Sequence, residues 1–148
     1  MERSLKVRPI ENGTVIDHIT KGKALNVYRV LNIGKETTVT IAMYVPSKKY
    51  GKKDILKIEG VELSEEDVNK IALISPNATI NIIKNRNVVK KFKVKIPDFI
   101  TGILKCTNPN CITNIERVSG KFKVEKKNPL KIRCIYCEKF LNTIEIPK

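Results

Sequence analysis

The spacing of apolar residues switches between period two and helical period in a fixed order along the first two-thirds of this chain. Gly13-Thr14-Val15-Ile16-Asp17-His18-Ile19 follows an Asn12-Gly13 turn signal and is rich in β-branched residues, which predicts a strand. From Lys21 to Ile33, Ala24, Val27, Tyr28 and Leu31 recur at helical spacing, and Asn32 and Gly34 close the pattern, so a helix is expected. Thr37 to Val45 reads as a strand ended by Pro46, Lys48 to Lys53 as a charged turn, and Asp54 to Glu59 as the next strand. A second helix begins at Ser64, an N-cap with Asp67 at the capping-box position and Leu63 placed to staple against Val68. Its buried stripe is Val68, Ile71 and Ala72, and Ser75-Pro76 stops it. Ala78 to Ile83 and Val88 to Ile96 are two further strands around a polar turn at Lys84 to Asn87.

Strand, helix, strand, strand, helix, strand, plus one extra strand, is the split βαβ order. It predicts an α+β, ferredoxin-like sheet with two helices on one face. Pro97-Asp98-Phe99 reads as a linker, dividing the chain into domains at 1–97 and 98–148. In the second part Phe122 to Glu125 alternates as a strand, Asn128-Pro129 turns, and Lys131 to Arg133 leads into the second cysteine knuckle; a third short strand is expected over Asn142 to Ile146.

All four cysteines lie in that second part, as Cys106-Thr-Asn-Pro-Asn-Cys111 and Cys134-Ile-Tyr-Cys137. Two short knuckles joined by a hairpin-sized segment fit a single tetrahedral four-cysteine zinc site in an antiparallel zinc ribbon. Four thiolates leave no coordination position for water or substrate, so such a zinc is structural. A module of this size has little core of its own, and its folding should depend on the metal. Disulfides would need an oxidising compartment, and the mixed charges of the first residues do not resemble an export signal. A cytoplasmic location without a membrane span is the expectation.

Composition changes the picture in one respect. Lys plus Arg number 29 against 15 Asp plus Glu, a formal +14, which raises nucleotides, acidic proteins and nucleic acid as partners. The surplus is spread over both halves and the few aromatics are scattered, so nucleic acid is disfavoured. His18 is the lone histidine, and no glycine-rich phosphate loop or nucleophile elbow occurs, so catalysis is not expected. Asp17 and His18, adjacent on a strand, should point to opposite faces. Lys53, Lys57, Lys90 and Lys91 lie in or beside strands, where ammonium groups can converge on a polyphosphate.

Taken together, Gly13 to Ile19, Gly22-Lys23, Lys53-Asp54-Ile55-Leu56-Lys57-Ile58-Glu59, Ala72 to Asn81 and the two cysteine knuckles with Tyr136 and Glu138 resemble the regulatory chain family of aspartate carbamoyltransferase. The resemblance covers nearly the whole length. It implies a non-catalytic chain whose N-terminal domain binds CTP or ATP as competing effectors of pyrimidine biosynthesis. It also implies a zinc domain that docks the catalytic chain, and regulatory dimers that bridge catalytic trimers. Carried over by position, Asp17, Lys57 and Asn81 would contact ribose and base, and His18, Lys53 and Lys91 the phosphates. Val7, Ile10, Ile83 and Val88 would line the base pocket. Asn108, Asn110, Tyr136, Glu138 and Lys139 would contact the catalytic chain. Arg8-Pro9 and Arg86 depart from the family pattern beside the base.

Overall fold

The computed structural model describes residues 10–147, so Val7, Arg8 and Pro9 lie outside the described residues. The described residues form two compact units that divide between Val94 and Lys95.

The first unit runs β1 (Gly13–Thr20), α1 (Ala24–Val30), β2 (Val39–Ser47), β3 (Gly51–Glu59), α2 (Glu65–Ile74), β4 (Thr79–Lys84) and β5 (Asn87–Lys93). Its strands form one sheet in the order β2-β3-β1-β4-β5, antiparallel throughout, which is the expected α+β arrangement with its extra strand at one edge. Register explains the two faces. Ile16 pairs with Leu56 on one side and Ile80 on the other, and all three are at most 1% exposed. With Ile58 they make the apolar face, and Val27, Ile71 and Ala72 of the helices are likewise fully buried. Each large apolar side chain among them contributes roughly 1.5–3 kcal/mol through its removal from water.

Local signals are expressed unevenly. The Ser64–Asp67 capping box forms in both directions, with Asp67 N–H donating to Ser64 Oγ at 3.1 Å and Ser64 N–H to Asp67 Oδ2 at 3.2 Å. Helix α1 is shorter than Lys21 to Ile33; Ala24, Val27 and Leu31 are buried while Tyr28 is 39% exposed, since seven residues make only two turns. Pro46 does not end β2 but sits inside it, paired with Lys52, because an edge strand tolerates a residue without an N–H. The β4–β5 turn has Asn85 and Arg86 at φ 51° and 67°, the doubly left-handed geometry of a tight hairpin.

The second unit has β6 (Phe99–Thr101), a short helix α3 (Ile112–Ile115), β7 (Lys121–Lys127) and β8 (Leu130–Cys134), with sheet order β6-β7-β8. Phe99 therefore belongs to a strand, and the expected strand over Asn142 to Ile146 does not form. That segment crosses the first cysteine knuckle instead, with Asn142 N–H donating to Thr107 Oγ1 at 3.1 Å and Lys105 N–H to Glu145 O at 3.3 Å. Phe122, Ile100 and Ile132 are at most 2% exposed and make a core of only a few large side chains.

Candidate functional site

On the first unit, the sheet face away from Ile16 and Leu56 carries most of the residues expected to hold a ligand. Lys57 lies opposite Val15, Val15 opposite Asn81, and Asn81 opposite Lys91, so one transverse row crosses β3, β1, β4 and β5. The next row on the same face pairs Gly13 with Ile83 and Ile83 with Val88; Ile83 is buried and Val88 is 57% exposed. Ile10 is buried as well.

At the other end of β1 the simple alternation breaks. The register slips between Ile16 and Ile19, and His18 adopts φ 55°. This bulge turns the Asp17 carboxylate back on its own chain, where Oδ1 accepts the His18 N–H at 2.6 Å and the Lys53 ammonium at 2.9 Å. Burial works against the Asp17 carboxylate, but these partners outweigh it and hold the carboxyl below its ordinary 3.8. Lys53, expected on the phosphate side, is thus ion-paired with Asp17. His18 Nδ1 lies 3.3 Å from Thr79 Oγ1, and the Tyr50 ring stands edge-on to the imidazole, 6.0 Å between centroids. A cavity of about 290 Å³ opens there, lined by His18, Lys49, Tyr50, Asn77, Lys91 and Lys93 among others. A second, of about 200 Å³, shares His18, Tyr50 and Asn77 and adds Lys21 and Lys52. Neither is lined by a carboxylate. Cavities lined by several ammonium groups and by no carboxylate suit a polyanion.

No sequence pattern marks Asp54, yet it holds this end together. Fully buried, it accepts the Ala24 N–H at the start of α1 at 3.0 Å and the Tyr44 N–H in the β2 bulge at 2.9 Å. Arg86 donates to the Glu11 carboxylate at 3.1 Å.

In the second unit the four thiol sulfurs lie within 4.8 Å of one another, and the Cys106–Cys137 and Cys111–Cys134 separations are 3.7 Å. A tetrahedron with Zn–S bonds of about 2.3 Å has S···S edges of about 3.8 Å, so the donor set fits zinc, and the thiols are unlinked. Asn114 fastens the first knuckle, its Nδ2 donating to Cys106 O at 2.9 Å and Asn108 O at 2.7 Å. Asn108 Oδ1 accepts the Asn110 N–H at 3.1 Å, so Asn108 also shapes its own turn. The second knuckle closes as Glu138, at φ 64°, donates its N–H to Cys134 O at 2.9 Å. Burial, with the neighbouring thiols, pushes the Cys106 thiol up to about 12, and burial raises Cys134 too. Burial opposes the Cys137 thiolate as well, but the Lys139 N–H, Asn108 and the adjacent thiols bring it down to about 7. Bound zinc would displace the remaining thiol protons and tie both knuckles to one centre.

A model of the aspartate carbamoyltransferase regulatory chain, allosteric domain, matches residues 5–95, and one of the metal binding domain of that chain matches residues 98–147. The chain belongs to the aspartate carbamoyltransferase regulatory chain family. The regulatory chain of Methanococcus aeolicus is 74% identical over 148 residues, covering 100% of this chain and 96% of that one. That of Methanocaldococcus jannaschii is 71% identical over 140 residues (95% and 94%), and that of Pyrococcus horikoshii 59% over 145 (96% and 95%). As a member of this family the chain is a non-catalytic subunit with an allosteric and a metal-binding domain, and the clustered cysteines suit one structural zinc. Among the described residues no helix is long and apolar enough to cross a membrane.

Within this regulatory chain, Lys49, Tyr50, Asn77, Thr79, Phe92 and Lys93 line the larger cavity and were missed by sequence reading. Lys93 and Thr79 share a register pair two positions from Asn81–Lys91 and could have been found by extending that row. Tyr50 could not, since only the β2–β3 turn brings it to His18.

Proposed function

We propose that this regulatory chain binds CTP and ATP competitively on the helix-free face of its N-terminal sheet and transmits their difference to the catalytic chain through the zinc unit. The functional division falls at 1–97 and 98–148. The transverse row Lys57–Val15–Asn81–Lys91, ending near the carboxylate-free cavities at His18, is the observation that carries this reading. Lys57, Asn81 and Asp17 face ribose and base, Val7, Ile10, Ile83 and Val88 wall the base, and His18 and Lys91 meet the phosphates. Lys53 acts there by leaving Asp17 when phosphate competes for it. The effector shifts the assembly only by the difference between its affinities for two states.

The knuckle residues Asn108, Asn110, Tyr136, Glu138 and Lys139 dock the catalytic chain, and regulatory dimers bridge catalytic trimers in the cytoplasm. The test is to mix the zinc-loaded chain with catalytic trimers and follow assembly by sedimentation and the aspartate response with CTP or ATP. Assembly with an effector-dependent aspartate curve is expected. No assembly, or a curve indifferent to both nucleotides, refutes the reading.

A further inference from the structure

The residues just before β1 tie together two loops that are distant in sequence. Asn12 O accepts the Gly60 N–H after β3 at 2.8 Å, and Asn12 Oδ1 accepts the Asn85 N–H of the β4–β5 turn at 3.2 Å. Glu11 completes the tie from the neighbouring position. Its carbonyl accepts the Arg86 N–H at 2.9 Å, and its carboxylate Oε1 accepts from Arg86 Nη2 at 3.1 Å, so one residue holds Arg86 by both backbone and side chain.

Arginine is a costly choice at that place. Asn85 and Arg86 have φ 51° and 67°, and a two-residue turn of this hand favours glycine at its second position. A side chain kept in the left-handed region against that preference points to a role for the side chain itself. What Arg86 gains is the Glu11 carboxylate, since glycine could make only the backbone half of the contact. Both side chains are well exposed, where an ion pair adds little to stability. Its consequence is therefore positional.

The position is the base end of the nucleotide site. Ile10, next to Glu11, is buried, and the Ile83–Val88 pair is the second inside the turn, after Lys84–Asn87. Charges at this end are paired, Glu11 with Arg86 and Glu62 with Lys84 at 3.4 Å, whereas the cavities at His18 are lined by ammonium groups and no carboxylate. That polarity suits an uncharged base at the paired end and a polyphosphate at the other. We propose that the Glu11–Arg86 clasp sets the backbone of residues 10–12 against Ile83 and Val88, making Glu11 and Arg86 positioning residues for the base with no part in holding the phosphates. This assignment rests on the nucleotide reading above.

The experiment titrates the zinc-loaded full-length chain by calorimetry with CTP and, separately, with inorganic triphosphate. The ratio of the two affinities isolates the base, because general charge effects act on both ligands. Glu11→Arg and Arg86→Glu should each lower that ratio about fivefold, the scale of an exposed ion pair turned into a like-charge pair. The double variant Glu11→Arg/Arg86→Glu should return it to within about twofold of wild type. Asn12→Ala, which removes the side-chain tie to Asn85 without altering charge, should lower it as well. If wild type binds CTP no better than triphosphate, the nucleotide reading itself falls and takes the clasp with it. If wild type prefers CTP and the single reversals leave the ratio unchanged, only the clasp is overturned. A fall in both singles without recovery in the double means that each side chain meets the nucleotide by itself, which also overturns it.

Discussion

Replacing Asp54, itself fully buried, by alanine removes the acceptor for two backbone N–H groups, that of the buried Ala24 at 3.0 Å and that of Tyr44, in a half-buried position, at 2.9 Å. A buried donor left without a partner costs about 1–3 kcal/mol and a half-buried one less, so the first unit should lose about 3 kcal/mol. Asparagine should cost about half as much, because its carbonyl oxygen still serves one N–H while its amide confronts the other. Against a total stability of about 5–15 kcal/mol the alanine variant would be marginal. Amide hydrogen exchange gives the assay, since it reads the two units separately. In the wild type the Ala24 and Tyr44 amides should be strongly protected. In Asp54→Asn one should be lost selectively, and in Asp54→Ala protection should fall throughout β1 and β3 while β7 and β8 are unaffected. The reasoning is refuted if both amides exchange freely in the wild type, or if the alanine variant's urea midpoint corresponds to a loss of less than about 0.5 kcal/mol, below the cost of even one unpaired donor.

Lys57→Gln and Lys91→Gln should each weaken CTP about tenfold in calorimetry, as expected for one charge-assisted contact; unchanged affinity would place the nucleotide elsewhere. Asp17 has a lowered folded value, so its pairing with Lys53 contributes stability that is complete above about 3.8 and is lost as pH falls below it. An Asp17→Asn variant should show a flatter acid limb in urea titrations across that window, and an identical limb would contradict this. Cys111→Ser, or chelation of zinc, should unfold the second unit and abolish assembly with catalytic trimers while CTP still binds, a pattern checked by parallel calorimetry and sedimentation. Gly13→Ala should destabilise the first unit by several kcal/mol in urea melts: φ is 146° there, and a Cβ would collide with Ile58 O.

Legibility followed the range of the interaction. The capping box spans three residues, so Ser64 and Asp67 could be read together directly. Cysteine spacing named the metal donors because two thiolates carried by one short turn are already a local geometry. The row Lys57–Asn81–Lys91 was named residue by residue through resemblance, but its being a row depends on register between four strands. The expected strand at Asn142 to Ile146 failed for the opposite reason: its short alternation carried no information about Thr107, the partner that captures it.

What the sequence determined by itself is the order of elements in the first unit, the set of four thiolate donors and the family, since each rests on short-range pattern or on motifs read in series. The tertiary structure alone decided that β1 bulges at Asp17 and His18, that Lys53 spends its charge on Asp17, and that Asp54 joins a helix start to a strand bulge. It alone brought Glu11 and Arg86, 75 residues apart, into contact. The physical reason is that antiparallel register couples residues through hydrogen-bonded neighbours rather than through the chain, and a one-residue slip reassigns every side chain beyond it.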